Sequence, residues 1–563
     1  MCGIVGYIGT KRDATPVLVD GLKRLEYRGY DSAGLAIIDK DGNLHSYKRK
    51  GQVQELADAV PSKLVDAHIG IAHTRWATHG EPNQQNAHPH TDESGKIYLV
   101  HNGVIENYAD LKETLLKKKH TFKSETDTEV LAHLIGVKFE KEKDLKKAVL
   151  SALKEVRGTY GLAAIHTDNP EEIVVARMGS PLLIGVGDNE FFVASDASAI
   201  VPYTKRVLYL EDGEIAVLTK DSHEICTVQN RKVRKDIEEV TWSTEAAEKG
   251  GYDHFMIKEI MEQPQTVRDS IRGRLHVSAG KSVLGGLKDV QKQLDQIDRI
   301  IIVACGSAYL AGLVGEYMIE EYAGIPVEVE YASEFRYRKP LIGANTAVIA
   351  VTQSGETADT LAAIREAKTK GALTLGIVNT VGSTIARETD AGVYNHAGPE
   401  IGVASTKALI SQITVLALYA INLGRSRDMS VTTGKRIAQE LQKLPEKIES
   451  ILEQSDEIKK IAKKYKTSHD YFFLGRKYNC PIGYEGALKL KETSYVHAEG
   501  YPAGEMKHGP IALIDDKMPV VFIVSKTGYS KILSNIEEVK ARGGKIIIVT
   551  SVNSEELKDY SDH

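Results

Sequence analysis

Short apolar runs bounded by turn residues dominate the first 220 or so positions of the chain. Examples are Ile4-Val5-Gly6-Tyr7-Ile8, Ala33-Gly34-Leu35-Ala36-Ile37-Ile38, Ile97-Tyr98-Leu99-Val100 and Phe191-Phe192-Val193-Ala194. Runs of this length and boundary predict strands. Helical periodicity over 129–138 and 145–156 interrupts them, which makes an α+β region rich in strand. Residues 226–285 turn polar and charged, with short helical pieces such as Asp253-His254-Phe255-Met256-Ile257-Lys258-Glu259-Ile260. That stretch is expected to link two parts of the chain and to pack its helices on the next domain.

From about residue 290 the pattern changes to strand and helix in alternation. Arg299-Ile300-Ile301-Ile302-Val303-Ala304 precedes Cys305-Gly306-Ser307 and a helix. Ala347-Val348-Ile349-Ala350-Val351 precedes Thr352-Gln353-Ser354-Gly355-Glu356-Thr357 and another. Fully apolar strands alternating with helices imply a parallel sheet covered on both faces. The unit then recurs: Val520-Val521-Phe522-Ile523-Val524, the turn Ser525-Lys526-Thr527-Gly528, a helix ending in Gly543-Gly544, and Lys545-Ile546-Ile547-Ile548-Val549. Two such copies argue for a duplicated α/β domain. The copies differ in their turns, so one is expected to bind ligand and the other mainly to support structure.

Composition narrows the class. A chain of 563 residues exceeds one core, and roughly three to four domains are expected. A net charge of −5 argues against a general nucleic-acid binder. It leaves small anions open, because backbone N–H groups can hold a phosphate. The four cysteines, Cys2, Cys226, Cys305 and Cys480, lie far apart and suggest neither a zinc site nor a disulfide framework. No metal or organic cofactor is spelled by any motif. The start lacks a basic region followed by a long apolar stretch, and position 2 is not Gly, so neither a secretory leader nor a myristoyl anchor is expected. The most apolar stretch, 408–423, carries Ser411, Gln412 and Thr414 and reads as a buried helix rather than a membrane span. A cytoplasmic location is the expectation.

Candidate chemistry begins at Cys2. Loss of Met1 would leave a thiol and a free α-amine on one residue, a nucleophile with its own base, because such an amine titrates near roughly 8. Three clusters accompany it: His73-Thr74-Arg75-Trp76-Ala77-Thr78-His79-Gly80, His101-Asn102-Gly103, and Glu125-Thr126-Asp127-Thr128-Glu129. Each has an ordinary structural explanation, as a surface charge, a hairpin turn or a helix cap. Jointly they supply the parts for amide hydrolysis. An Arg can clamp a carboxylate, an Asp can pair with an ammonium, and an Asn amide with a Gly N–H can hold an oxyanion. Glutamine presents all three groups.

These motifs, with Met1-Cys2-Gly3-Ile4-Val5-Gly6 and Glu26-Tyr27-Arg28-Gly29-Tyr30-Asp31-Ser32-Ala33-Gly34, resemble a class II glutamine amidotransferase domain. The later segments resemble paired sugar isomerase (SIS) domains. Together they resemble the family of isomerising glutamine–fructose-6-phosphate aminotransferases over essentially the whole chain. The resemblance implies an α+β N-terminal-nucleophile hydrolase domain (an αββα sandwich) over 2–220, a linker with connecting helices over 221–285, a first SIS domain over 286–428 and a second, C-terminally incomplete one over 455–563. The substrates it implies are L-glutamine and D-fructose 6-phosphate, with no nucleic acid or membrane partner.

The same resemblance assigns residues. Cys2 is the nucleophile; Asn102 and Gly103 hold the oxyanion. Arg75 and Asp127 take the α-carboxylate and α-amine of glutamine, Thr78 and His79 line its pocket, and Trp76 gates the exit of ammonia. Ser307, Thr352, Gln353, Ser354, Thr357, Val403, Ala404 and Ser405 fall at the sugar-phosphate positions. Hydroxyls and N–H groups at a helix start suit a phosphate, and a plain capping turn uses the same residues. Ser307-Ala308 stands where the family commonly has Thr-Ser, one hydroxyl fewer. On the helix containing Glu485-Gly486-Ala487-Leu488-Lys489-Leu490-Lys491-Glu492, Glu492 is expected to move the proton between C1 and C2 with help from Lys489. An exposed ion pair is the plain reading of that spacing. His508 is expected to open the sugar ring from a neighbouring subunit, which implies a homodimer.

Family members continue past the position matching His563 into a tail bearing a Schiff-base lysine, and no residue here matches it. The expected activity is the synthase reaction. The alternative is a glutaminase with a sugar-phosphate-binding part that does not complete the synthesis. A free-standing isomerase would leave Cys2 and its clusters unexplained.

Overall fold

Alternation within the first strand accounts for the layers of the N-terminal part. Gly3–Gly9 is buried along its whole length. Successive side chains of a strand point to opposite faces. Ile4 and Ile8 meet Ile71, Val100 and Val175 between two sheets, while Val5 and Tyr7 face Val17, Leu18 and Leu22 of the helix Ala14–Leu25. The second sheet repeats the device: Val100, Ala163 and Val175 point inward, and Leu99, Leu162 and Ala164 pack on the helices Asp127–Glu142 and Leu145–Leu153. The product is a helix–sheet–sheet–helix sandwich of one eight-stranded and one seven-stranded antiparallel sheet.

The computed structural model describes residues 2–61, 67–77, 80–240, 249–552 and 554–563. The chain divides into two compact units, Met1–Glu248 and Lys249–His563. The stretch expected to start a linker at 221 does not do so. His223–Thr227 and Lys232–Val233 extend the seven-stranded sheet, and Glu238–Glu239 closes one edge of the other. The helices Phe255–Met261 and Gln263–Ile271 belong to the second unit, where Gln263–Ile271 packs on Lys407–Arg425.

The second unit opens with a five-stranded parallel sheet in the order Val327–Tyr331, Arg299–Ala304, Thr346–Thr352, Leu373–Val378, Ala391–Tyr394. Ile300 and Ile302 face the helices Ser307–Ala323 and Lys407–Arg425. Ile301 and Val303 face Leu361 and Ile364 of the helix Ala358–Thr369. Burial on both faces is why these strands read as unbroken apolar runs. Lys407–Arg425 is long and apolar enough to cross a membrane, yet 83% of that window is buried in this core. Its polar interruptions are satisfied locally, since Ser411 donates to the Ala408 carbonyl (2.7 Å) and Thr414 to that of Ile410 (2.8 Å).

A four-stranded parallel sheet comes next, ordered His497–Pro502, Asp470–Gly475, Pro519–Val524, Lys545–Thr550. Both parallel sheets place their second strand outside their first. The strand order therefore reverses between strands one and three, and the loops after those strands part to leave a crevice at their carboxyl ends.

Three of the buried histidines of the sandwich, His73, His88 and His90, form a cluster. His73 and His88 stack at 4.0 Å, and His90 meets His88 edge-on at 4.7 Å. Burial pushes His73 down to about 3 and holds His88 and His90 well below the usual imidazole range. All three are neutral in the folded protein at neutral pH. Between about 6.5 and about 3 the unfolded chain takes up protons that the folded His73 refuses, so stability is intact above that window and falls with pH inside it. Urea unfolding midpoints are expected to drop between pH 7.5 and pH 5. His88→Phe keeps a ring against His73 and is expected to make that slope shallower, by up to about 1.4 kcal/mol per pH unit for one fully excluded proton. An unaltered slope would contradict the assignment of His88 as neutral.

Candidate functional site

Register places the first site. Gly3 lies opposite Thr74 in the pairing of Gly3–Gly9 with Ala67–Arg75, which brings Cys2 beside Arg75 and Trp76. The Trp76 N–H donates to Cys2 Sγ at 3.2 Å, and the thiol faces the Trp76 carbonyl at 3.5 Å. Burial pushes the thiol up, opposed by the Trp76 amide and the positive charges of Arg75 and Arg28. The Cys2 carbonyl accepts from Asn102 Nδ2 at 3.1 Å. Asn102 Oδ1 in turn accepts from His73 Nε2 at 3.0 Å, which assigns the ring proton to Nε2. His73 thereby fixes which way the Asn102 amide points.

Gly103 follows with φ +129, and a Cβ there would lie 2.1 Å from the Thr159 carbonyl oxygen, so only glycine fits. Its neighbour Val104 donates to Thr159 Oγ1 at 3.2 Å. Asp127 is the first residue of its helix, behind the Thr126 cap. Its Oδ2 accepts from the Ile105 N–H at 2.8 Å, at the end of the strand that carries Asn102 and Gly103. Arg75 is buried, donates to the carbonyls of Gly80 (3.0 Å) and Glu81 (3.2 Å), and interacts with the charges of Cys2, Asp31, Asp127 and Glu125. Trp76 is exposed and edge-on to Tyr30 at 5.5 Å. Thr78 and His79 lie outside the described residues. A thiol, an Arg, a carboxylate and two oxyanion candidates therefore converge in one unit.

The second unit holds the other cluster. Ser307 starts its helix at the switch point of the five-stranded sheet. Its hydroxyl donates to Glu485 Oε1 at 2.9 Å and accepts from Lys489 Nζ at 3.0 Å. Lys489 also reaches Glu492 at 2.5 Å and Glu485 at 3.4 Å. The helix Asn479–Ser494 thus delivers three charged groups to the first sheet's crevice. Glu485 is buried, which raises its carboxyl above the ordinary range against the pull of Lys489 and Ser307. The Lys489–Glu492 pair is only partly exposed and tied to Ser307, unlike a simple solvated pair.

Across the same switch point, Thr352 Oγ1 accepts the Gly355 N–H (3.2 Å) and Ser354 Oγ accepts that of Glu356 (3.1 Å). Thr352 Oγ1 also pairs with Thr357 Oγ1 at 3.5 Å, and the Ser354 hydroxyl proton stays available to a ligand. Gly355 has φ +68, and a Cβ there would meet Ser383 Oγ at 1.9 Å. Thr357 caps the helix start with no side-chain bond to the helix backbone, and Gln353 holds Asn379 and Thr380 through its carbonyl. Cys305 Sγ touches Thr360 Oγ1 at 3.7 Å and ties the loop after the first strand to the helix Ala358–Thr369.

The loop containing Val403, Ala404 and Ser405 is braced from the helix Phe255–Met261. Buried Glu259 accepts from the Ile401 N–H (2.6 Å) and the Gly402 N–H (2.9 Å). Burial lifts its carboxyl to about 7 despite those two amides. His508 sits exposed on the turn Glu505–His508, and the described residues bring no member of the Lys489 cluster to it within hydrogen-bond distance. Sequence pattern does not mark the roles of His73, Glu259 and Glu485. Each acts through a partner remote in sequence, so no local spacing announces it.

Comparison with known proteins bears on both units. The glutamine amidotransferase domain family matches residues 57–250, and the SIS domain family matches 293–422 and 464–563. The isomerising glutamine–fructose-6-phosphate aminotransferase of Chlorobaculum tepidum is 54% identical over 568 residues, covering 100% of this chain and 92% of the relative. Those of Thermus thermophilus and Methanosarcina mazei are 50% and 47% identical over 99% and 100% of this chain, which spans 91% and 92% of them. Among solved structures, the C-terminal domain of glucosamine-fructose-6-phosphate aminotransferase from Francisella tularensis is similar at TM-score 0.53 and 39% identity, over 55% of this chain and 88% of that one. The chain belongs to the glutamine–fructose-6-phosphate aminotransferase (isomerising) family, with a glutamine amidotransferase domain in its first unit and SIS domains in its second.

Proposed function

We propose that the chain converts L-glutamine and D-fructose 6-phosphate to D-glucosamine 6-phosphate and L-glutamate. The observation that carries this reading is the convergence of the Cys2 thiol, the Trp76 N–H and the Asn102 amide. Removal of Met1 frees the Cys2 α-amine, which takes the thiol proton as Sγ attacks the glutamine carboxamide carbon. Asn102 Nδ2 and the Gly103 N–H hold the oxyanion, and His73 keeps the amide turned toward it. Arg75 and Asp127 select the α-carboxylate and α-amine. Collapse of the tetrahedral adduct releases ammonia and leaves a thioester, which water cleaves to glutamate. Trp76, edge-on to Tyr30, stands beside the thiol as the gate for the ammonia.

The sugar phosphate occupies the crevice of the first parallel sheet. Its phosphate lies on the loop of Thr352, Gln353, Ser354 and Thr357, and its hydroxyls lie against Ser307 and the backbone of Val403, Ala404 and Ser405. Ammonia displaces the carbonyl oxygen at C2 as water, and Glu492 shuttles the proton between C2 and C1 while Lys489 holds its carboxylate. Ring opening uses His508 of a second copy, because His508 is exposed and away from this cluster in its own chain. The working form is then a homodimer in the cytoplasm.

With amide-¹⁵N glutamine and fructose 6-phosphate, the labelled product is expected to be glucosamine 6-phosphate, read by mass spectrometry. Labelled ammonia with no amino sugar would restrict the chain to glutaminase chemistry. Cys2→Ala is expected to abolish glutamate release and leave sugar-phosphate binding intact; residual glutamate release would remove Cys2 from its role. Asn102→Ala is expected to lower kcat for glutamate release by about 10²–10³, the usual loss for one oxyanion donor. Mixing inactive Glu492→Gln and His508→Ala proteins is expected to restore part of the synthase activity through mixed dimers. No recovery after subunit exchange would place ring opening within one chain.

A further inference from the structure

The second parallel sheet has its own switch point, and the residues around it are not those of a plain supporting domain. Strands Asp470–Gly475 and Pro519–Val524 are neighbours with strand His497–Pro502 outside the first, the same reversal as in the five-stranded sheet. At their carboxyl ends lies a cleft of about 520 Å³. Gly475 and Gly528 form its floor, and Leu313, Glu316 and Tyr317 of the helix Ser307–Ala323 form one wall. The arrangement is reciprocal: helix Asn479–Ser494 sends Lys489 to the first crevice, and helix Ser307–Ala323 borders the second. The turn after the first strand keeps its left-handed residue, Gly306 with φ +57 in one copy and Lys477 with φ +50 in the other.

Three cations border this cleft: Arg476, Lys477 and Lys531. None forms a salt bridge among the described residues. Arg476 makes one side-chain hydrogen bond, from Nη2 to the neutral Asn535 Oδ1 at 2.9 Å, and its Nε is buried without a partner. Arg476 is half-buried, and its donors are only partly engaged, which leaves them for an anion. Gly504 leaves its face open, since a Cβ there would come within 3.3 Å of Nη2. The helix Tyr529–Ala541 begins at the cleft, with Gly528 as its cap in the left-handed region and no side-chain cap bond; the Tyr529 and Lys531 N–H groups donate to the Lys526 and Gly528 carbonyls, which leaves that of Ser530 for an anion. Tyr317 and Tyr484 flank the space, and the Glu316 and Glu505 carboxylates can accept from hydroxyls.

We propose that this cleft is a second binding site, distinct from the sugar crevice, for a phosphate group carried either as free phosphate or on a small hydroxylated phosphomonoester. The phosphate sits on Arg476, Lys531 and the Ser530 N–H. Among the described residues, the lysines and glutamates that line it form no ion pair like Lys489–Glu492, and binding is the role proposed.

The test is equilibrium dialysis of the full chain with ³²P-labelled inorganic phosphate and, separately, ³²P-labelled glucose 6-phosphate. Two sites per chain are expected for at least one probe, and which probe fills the second separates free phosphate from a phosphomonoester. Arg476→Ala is expected to weaken one site tenfold or more, and Lys531→Ala to weaken the same site less, with glutamate release from glutamine unchanged. Arg476→Gln keeps a donor for Asn535 and is expected to lose the site as Arg476→Ala does, which separates lost binding from lost folding. Ser354→Ala is expected to affect only the other site, so failure of the sugar-crevice reading appears as no effect of Ser354→Ala, independently of Arg476. A single site per chain that both Arg476 variants leave intact would overturn the proposal.

Discussion

Antiparallel pairing of the first strand with Ala67–Arg75 is the constraint on which the first site depends. With Gly3 opposite Thr74, the residue preceding the strand has one place to go, beside the peptide of Trp76. A slip of one residue would turn Ile4 and Ile8 out of the layer between the sheets and carry the thiol away from Asn102. The apolar interlayer therefore locks a polar geometry. Asn102 and Gly103 arrive by the same logic, on a strand whose Leu99 and Val100 are held in opposite layers.

In the second unit the organising constraint is the reversal of strand order. It opens a crevice at the carboxyl ends of each parallel sheet and leaves each crevice short of one wall. The helix of the other copy supplies that wall. Ser307, shared between Glu485 and Lys489, is one point where the two α/β domains meet in hydrogen bonds, and Tyr478 with Glu321 is another. Duplication has thus produced two clefts of one architecture and unlike chemistry, one lined by hydroxyls and the Lys489–Glu492 pair, the other by cations.

The strands and helices of both units were legible because burial on two faces leaves long apolar runs and because turn residues punctuate them. Edges were not. Lys232–Val233 and Glu238–Glu239 are two-residue exposed strands with no alternation to detect, so a sheet margin reads as a linker. Cys2, Arg75, Asn102, Gly103 and Asp127 stand out in the sequence by residue type and motif, and the fold brings them together in one unit. His73 and Glu259 do not stand out, since each takes its meaning from a partner 29 or 142 residues away. Position 508 shows the opposite case: its motif was legible, and its exposure on a turn away from Lys489 emerged only from the fold.

The helix Lys407–Arg425 has a consequence for how the protein is made. It is C-terminal to every strand of the five-stranded sheet and to the helix Ser307–Ala323 on which it packs. On the ribosome its receiving surface is synthesised first. A segment apolar enough for a bilayer thus emerges when a half-built core is already at hand to take it in, and the interval in which insertion machinery or other nascent chains can capture it is short. The order of elements along the gene protects this helix as much as its sequence does.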